Sequence, residues 1–177
     1  MSGAPRILVC SLSRLAGIVE RERPSALISL GSDGAVPPRP PSVRPGHHLA
    51  LRFHDVVPET VPSPDLIHPS REHAGAIVVV ARAWDRAGPL LIHCGLGVSR
   101  SPAAAIIALA ALEPDRDPHA IARAVRERAP SATPNAALVA EADALLERGG
   151  TLSAAVAAIG RGRMAMEGEA FALELSR

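Results

Sequence analysis

The stretch that most restricts the fold is Leu90-Leu91-Ile92, three apolar residues in a row between the turn Gly88-Pro89 and a glycine-bearing loop. A strand that is apolar on both faces must be covered on both, as a strand inside a parallel sheet is. The residues beyond the loop agree with this placement. There Pro102 opens an Ala/Ile/Leu run reaching about Leu112, which reads as a buried helix.

The rest of the chain repeats the alternation of strand and helix. Ile7-Leu8-Val9-Cys10 reads as a first strand, and residues 13–23 as a helix with Leu15, Ile18 and Val19 on one face, stopped by Pro24. Residues 26–30 form a second strand, closed by Gly31 and the turn Ser32-Asp33-Gly34. A third strand spans 49–53 and leads into a long loop carrying His54-Asp55. Residues 70–84 read as an amphipathic helix with Ala74, Ile77, Val78, Ala81 and Trp84 on its buried face, Trp84 being a core anchor. Further helices are expected over 118–128 and 135–147. The pattern predicts an α/β fold: a mostly parallel central sheet of four to five strands flanked by helices, over residues 1–150. Gly149-Gly150 reads as a boundary, and 151–177 as a C-terminal extension without an assigned role. The proline-dense segment 36–45 reads as a stiff surface loop, although its spacing also matches a polyproline ligand.

Composition removes several function classes. The chain has 177 residues, with 19 basic against 18 acidic side chains and a net charge of +1. No run of basic residues offers a surface for nucleic acid or an anionic membrane, so neither is an expected partner. Phe53, Trp84 and Phe171 are the only aromatic residues, which leaves no platform for stacking bases. Cys10 and Cys94 are too few for a disulfide framework or a structural zinc site, and they point to a reducing cytoplasm. The apolar run 7–10 is too short for a signal peptide or a membrane span. His47, His48, His54, His68 and His73 have no metal-ligand spacing and read as solvent-exposed loop histidines.

The chemistry concentrates in His93-Cys94-Gly95-Leu96-Gly97-Val98-Ser99-Arg100-Ser101-Pro102, between strand and helix. A loop wound at a helix start turns N–H groups inward and adds the positive end of the helix dipole, a seat for a dianion such as phosphate or sulfate. Gly95 and Gly97 permit backbone angles that bring Gly95, Leu96, Gly97, Val98 and Ser99 around such a ligand. Cys94 lies at the floor, where cysteines in electropositive surroundings act as nucleophiles. Arg100 presents a planar fork able to hold two phosphoryl oxygens. Ser101 can donate to the sulfur and can also cap the helix, and His93 reads as a loop-orienting residue rather than a base. No metal or cofactor is implied, since amides and Arg100 supply the positive charge.

This segment resembles the phosphate-binding loop of the protein tyrosine phosphatase superfamily, most closely its dual-specificity branch and small bacterial relatives. The wording Val98-Ser99-Arg100-Ser101-Pro102 is particularly similar, and Val125-Arg126 and Pro134-Asn135 resemble the downstream pattern. The resemblance covers roughly residues 7–148, and its specificity lies in the loop. It implies the Cys-x5-Arg phosphatase fold and hydrolysis of a phosphomonoester, on a phosphorylated protein or a small molecule, through a phosphocysteine intermediate. It also implies an upstream aspartate that protonates the leaving group and then activates water. Asp55, after a hydrophobic strand, matches that position, with Asp65 as the alternative. Leu96 departs from the alanine common there, and the absence of Lys from 95–99 disfavours inositol phosphates. The chain has no Tyr, hence no stacking phosphotyrosine-recognition loop.

Two other readings compete. The same loop could serve a catalytically weak phospho-binding module, or a thiol enzyme such as an arsenate reductase or sulfurtransferase using Cys10 as a second thiol. Cys10 reads first as a buried strand residue. Asn135 reads either as a residue lining the site or as a helix N-cap.

Overall fold

The computed structural model describes residues 5–32, 36–56 and 63–176, so that Asp33 and Gly34 of the expected turn lie outside the described residues. The elements run β1 (Arg6–Ser11), α1 (Leu15–Glu22), β2 (Ala26–Gly31), β3 (His48–Arg52), α2 (Arg71–Ala83), β4 (Leu90–Cys94), α3 (Arg100–Leu112), α4 (Pro118–Arg128), α5 (Ala136–Leu145), α6 (Thr151–Ile159) and β5 (Phe171–Glu174). They build an α/β fold around a five-stranded sheet in the order β3-β2-β4-β1-β5. The first four strands in that order are parallel, and β5 joins β1 antiparallel at the edge.

The apolar strand lies where its composition demands. All of β4 is buried, between β1 and β2. Burying side chains such as Leu90, Leu91 and Ile92 is worth about 1.5–3 kcal/mol each. Alternation along the strands splits them between two layers. Ile7, Val9, Ile28, Leu90 and Ile92 face the large core with α2 to α6. Leu8, Cys10, Leu27 and Leu91 face the smaller one with Leu15 and Ile18 of α1 and Val43. Val43 belongs to the proline-dense loop and is fully buried, so that loop plugs the α1 side of the sheet.

α3 is the central helix. Its residues from Arg100 to Ala111 are all buried, and the many alanines let α2, α4 and α5 close on it. Small side chains here substitute for the aromatic bulk that the chain lacks.

Residues 151–177, expected as an extension, contribute to the same core. Leu152 and Val156 of α6 and Phe171 and Leu173 of β5 belong to the large cluster, and β5 completes the sheet. Gly149 and Gly150 have φ of +61° and +85° and form a tight turn between α5 and α6. Asp143, 3% exposed, holds that turn: its carboxylate accepts from Gly150 N at 2.6 Å and Ser153 N at 2.8 Å. One α5 side chain thus satisfies backbone donors at the start of α6.

Replacing Asp143 with Ala leaves those donors without their acceptor, and stability should fall by about 1–3 kcal/mol. Urea unfolding checks this, with Asp143→Asn, which keeps one acceptor oxygen, falling between the two.

Candidate active site

Cys94 ends β4 and Arg100 begins α3, so residues 95–99 must turn from sheet to helix in very little chain. Gly97 makes this possible. Its φ is +72°, and a Cβ there would stand 2.9 Å from Ser11 N and 3.1 Å from the Cys10 carbonyl carbon. Only glycine lets the loop rest on the end of β1 in that conformation.

The loop's carbonyls face outward, each taken by a different neighbour. Gly95 O accepts from Leu12 N at 3.1 Å, Leu96 O from Gly168 N at 2.8 Å, Val98 O from Thr133 N at 2.8 Å, and Ser99 O from Asn135 N at 3.2 Å. Across a trans peptide plane the next N–H points the opposite way. The amides of Leu96, Gly97 and Ser99 therefore face inward, and they donate to no protein group among the described residues. With the N-terminus of the 13-residue α3, they form a ring of inward donors of a kind that suits an anion.

At its floor, Cys94 is 3% exposed, with Sγ 3.1 Å from Ser101 Oγ. Ser101 lies inside the first turn of α3, whose N-cap is Ser99. The serine hydroxyl therefore serves the sulfur and does not cap the helix. Arg100, 9% exposed, is pinned by one end: Nη1 donates to Ser32 Oγ at 2.9 Å and to the Phe53 carbonyl at 2.8 Å. The Phe53 ring centroid lies 6.0 Å from the guanidinium carbon. The buried Nε has no protein partner among the described residues, and Nη2 comes within 4.0 Å of where a Gly95 Cβ would be. The half of the fork that remains available thus borders the loop.

Asp55 is brought to the loop. Its Oδ1 accepts from Ser99 Oγ at 2.6 Å and Asn135 Nδ2 at 2.8 Å. Asp65 is exposed, and its own amide bonds Ser63 in a local turn. Asn135 does both things read from the sequence: its Oδ1 caps α5 by accepting from Leu138 N at 2.9 Å, while Nδ2 reaches Asp55 and the Val56 carbonyl.

His93 points to the opposite face of the sheet from Cys94. Its Nε2 lies 2.7 Å from the buried Ser29 Oγ, which lies 2.9 Å from His48 Nε2. The row spans β4, β2 and β3 and anchors the base of the loop. Cys10 shares that face; burial above all, then the neighbouring Cys94, pushes its thiol up to about 12. The second thiol needed for thiol exchange with Cys94 is thus directed away from it.

The exposure expected for the histidines is corrected. His47, His48, His54, His68 and His73 are all partly buried: His48 lies in β3 and His73 in α2, and the other three lie on loops between the described elements. His73 Nδ1 accepts from Ser70 N at 3.1 Å at the start of α2, and its ring lies 4.7 Å from that of Phe53. Among the described residues no group of three or more His, Cys, Asp or Glu is arranged to hold a metal ion. Nor is any helix among them long and apolar enough to cross a membrane.

Sequence reasoning missed Ser32, the Phe53 carbonyl and the whole segment 160–169. That segment leaves α6, held by Arg126, which donates to the Gly160 and Pro130 carbonyls at 2.8 and 2.7 Å. Gly162 N donates to Thr133 Oγ1 at 3.0 Å, and Arg163 N to the Pro130 carbonyl at 2.8 Å. Farther on, Glu167 accepts from Ser11 and Ser13, and those hydroxyls hold its carboxyl below the usual range. Gly168 packs so tightly that a Cβ would stand 2.6 Å from the Gly97 carbonyl oxygen. The glycine spacing was the one visible sign of this close approach.

No protein-family model and no curated protein matches the chain. Among solved structures, a mouse protein described as a dual specificity phosphatase, complexed with zinc tungstate, aligns over 80% of both chains at 22% identity and a TM-score of 0.48. TpbA of P. aeruginosa aligns over 85% of this chain and 82% of its own, at 19% identity and a TM-score of 0.41. Neither likeness is close enough to stand for function.

Burial, first of all, holds the His93 imidazole at about 4, below its ordinary 6.5. The unfolded chain therefore takes up this proton more readily, and acid favours unfolding. Stability should be complete above pH 6.5 and fall by roughly 3 kcal/mol as pH drops towards 4. Comparing urea midpoints of wild type and His93→Gln across that range isolates the effect; the variant's slope should be shallower.

Proposed function

We propose that the protein is a phosphomonoester hydrolase that works through a phosphocysteine intermediate, of the protein tyrosine or dual-specificity type. The observation that carries this is the inverted loop, whose inward amides surround a buried thiol and whose open side is bordered by the available half of Arg100. Such a ring matches the three equatorial oxygens of a phosphoryl group in transfer, where catalysis is mostly positioning and charge stabilisation.

In the first step, Cys94 Sγ attacks phosphorus as a thiolate. The S–P bond forms, the bond from phosphorus to the ester oxygen breaks, and Asp55 gives its proton to that oxygen as it leaves. Arg100 Nε and Nη2 and the loop amides share the charge on the phosphoryl oxygens. In the second step water attacks phosphorus from the vacated side, and the Asp55 carboxylate takes its proton. The S–P bond then breaks, with the Ser101 hydroxyl, 3.1 Å from Sγ, donating to the departing thiolate. Inorganic phosphate is released and Asp55 is again protonated. Asp55 suits the acid/base role better than Asp65 because Ser99 and Asn135 hold it beside the loop.

Hydrolysis of a small aryl phosphate tests this. Cys94→Ser and Arg100→Ala should abolish turnover, and Asp55→Asn should lower kcat by about 10²–10⁴-fold, while Asp65→Asn leaves it near wild type. Vanadate binding by a wild type without turnover would point instead to a phospho-binding module.

A further inference from the structure

Beside the candidate active site runs a groove of roughly 870 Å³. One wall is the outer side of the loop and the start of α5, with Ser99, Thr133 and Asn135. The other is the segment after α6, with Arg161, Arg163 and Met164. Ser99 and Asn135, which line the groove, also hold Asp55, so it lies beside the candidate acid. Thr133, Pro134, Ala136 and Arg161 line both the groove and an apolar recess of roughly 270 Å³ bordered by Val139, Val156 and Ala157.

Among the described residues, the two arginines are the only charged side chains lining the groove. Arg161 is exposed and has no ion-pair or hydrogen-bond partner among the described residues. Arg163 has Glu169 nearby, but that carboxylate is turned towards Ser131, whose amide donates to it at 3.2 Å. The groove therefore presents positive charge in a protein whose net charge is only +1.

The surroundings are apolar. Leu12, Leu96, Met164 and Met166 are among the few exposed large apolar side chains, and all sit on the loop or on segments bonded to it. Met164 and Met166 are fully exposed, and flexible thioethers suit a surface that accepts varied side chains.

Resting on the hydrolase reading, we infer that this groove seats the polypeptide of a phosphoprotein substrate. An acidic residue flanking the phosphorylated one lies against Arg161 and Arg163, and an apolar side chain enters the recess. A walled groove with two separated cations and an apolar pocket suits an extended peptide. A lipid surface would call for a dense basic cluster, which is absent.

The test compares kcat/KM for an aryl phosphate, a phosphopeptide with flanking Glu, the same peptide with Ala there, and phosphoinositide vesicles. Wild type should prefer the Glu peptide over the Ala peptide by about tenfold, since an exposed ion pair is worth up to about fivefold per arginine. Arg161→Ala/Arg163→Ala should erase that preference and lower the ratio of Glu-peptide to aryl-phosphate activity by the same factor. Arg161→Glu should turn the preference towards a peptide with flanking Arg. Equal rates on the two peptides, an equal drop on peptide and aryl phosphate in the double variant, or vesicles as the best substrate would overturn the inference while leaving the hydrolase reading intact. A wild type inert on aryl phosphate would overturn the hydrolase reading itself.

Discussion

Everything at the candidate site depends on one backbone arrangement: the carbonyls of Gly95, Leu96, Val98 and Ser99 are held outward by four amides from three separate places in the chain. A short loop left to itself would pair its N–H and C=O groups locally or with water. Pulling the oxygens away exposes the opposite edge of each peptide to the interior, and the inward amides follow from peptide planarity alone. The anchors are Leu12 after β1, Thr133 and Asn135 before α5, and Gly168 before β5. A loop of this kind is preorganised by the fold, so its donors keep their orientation without a ligand.

That dependence explains why the chain's last thirty or so residues matter to a site built on its middle. α6 and β5 are bound into the core, and the stretch joining them passes along the loop as a strap. Gly162 and Gly168 allow it to lie against the 131–132 backbone and the Gly97 carbonyl, where any side chain would collide. Asn135 is similarly economical: one amide side chain starts a helix, holds Asp55 and fastens Val56.

On the far face of the sheet, His93, Ser29 and His48 form a polar row through an otherwise apolar layer. Burial keeps the His93 ring neutral near physiological pH, so it can act as a fixed hydrogen-bonding post rather than as a proton carrier. Cys10, on the same face, is kept un-ionised by the same burial. Strand alternation sends the two buried cysteines to opposite faces of the sheet, Cys10 to the α1 layer and Cys94 to the floor of the loop.

Local pattern determined a good deal. Leu90-Leu91-Ile92 could only be an interior strand, the alternation of apolar runs with helical spacing required an α/β layer structure, and glycines beside a cysteine at a strand–helix junction marked the candidate site. Those features are legible because they depend on near neighbours and on period. Tertiary structure decided the rest. Gly149-Gly150 looks like a boundary and is a turn, because only Asp143 from the preceding helix makes that turn hold. β5 is a four-residue edge strand whose partner, β1, lies at the other end of the chain, so no local signal could announce it. That Asp55, and not Asp65, stands beside the loop follows from the reach of Ser99 and Asn135. Arg100's fixed Nη1 and available Nε arose from Ser32 and Phe53, distant in sequence and brought near by β2 and β3. A sequence records which groups can make such bonds; which of them meet is a property of the assembled sheet.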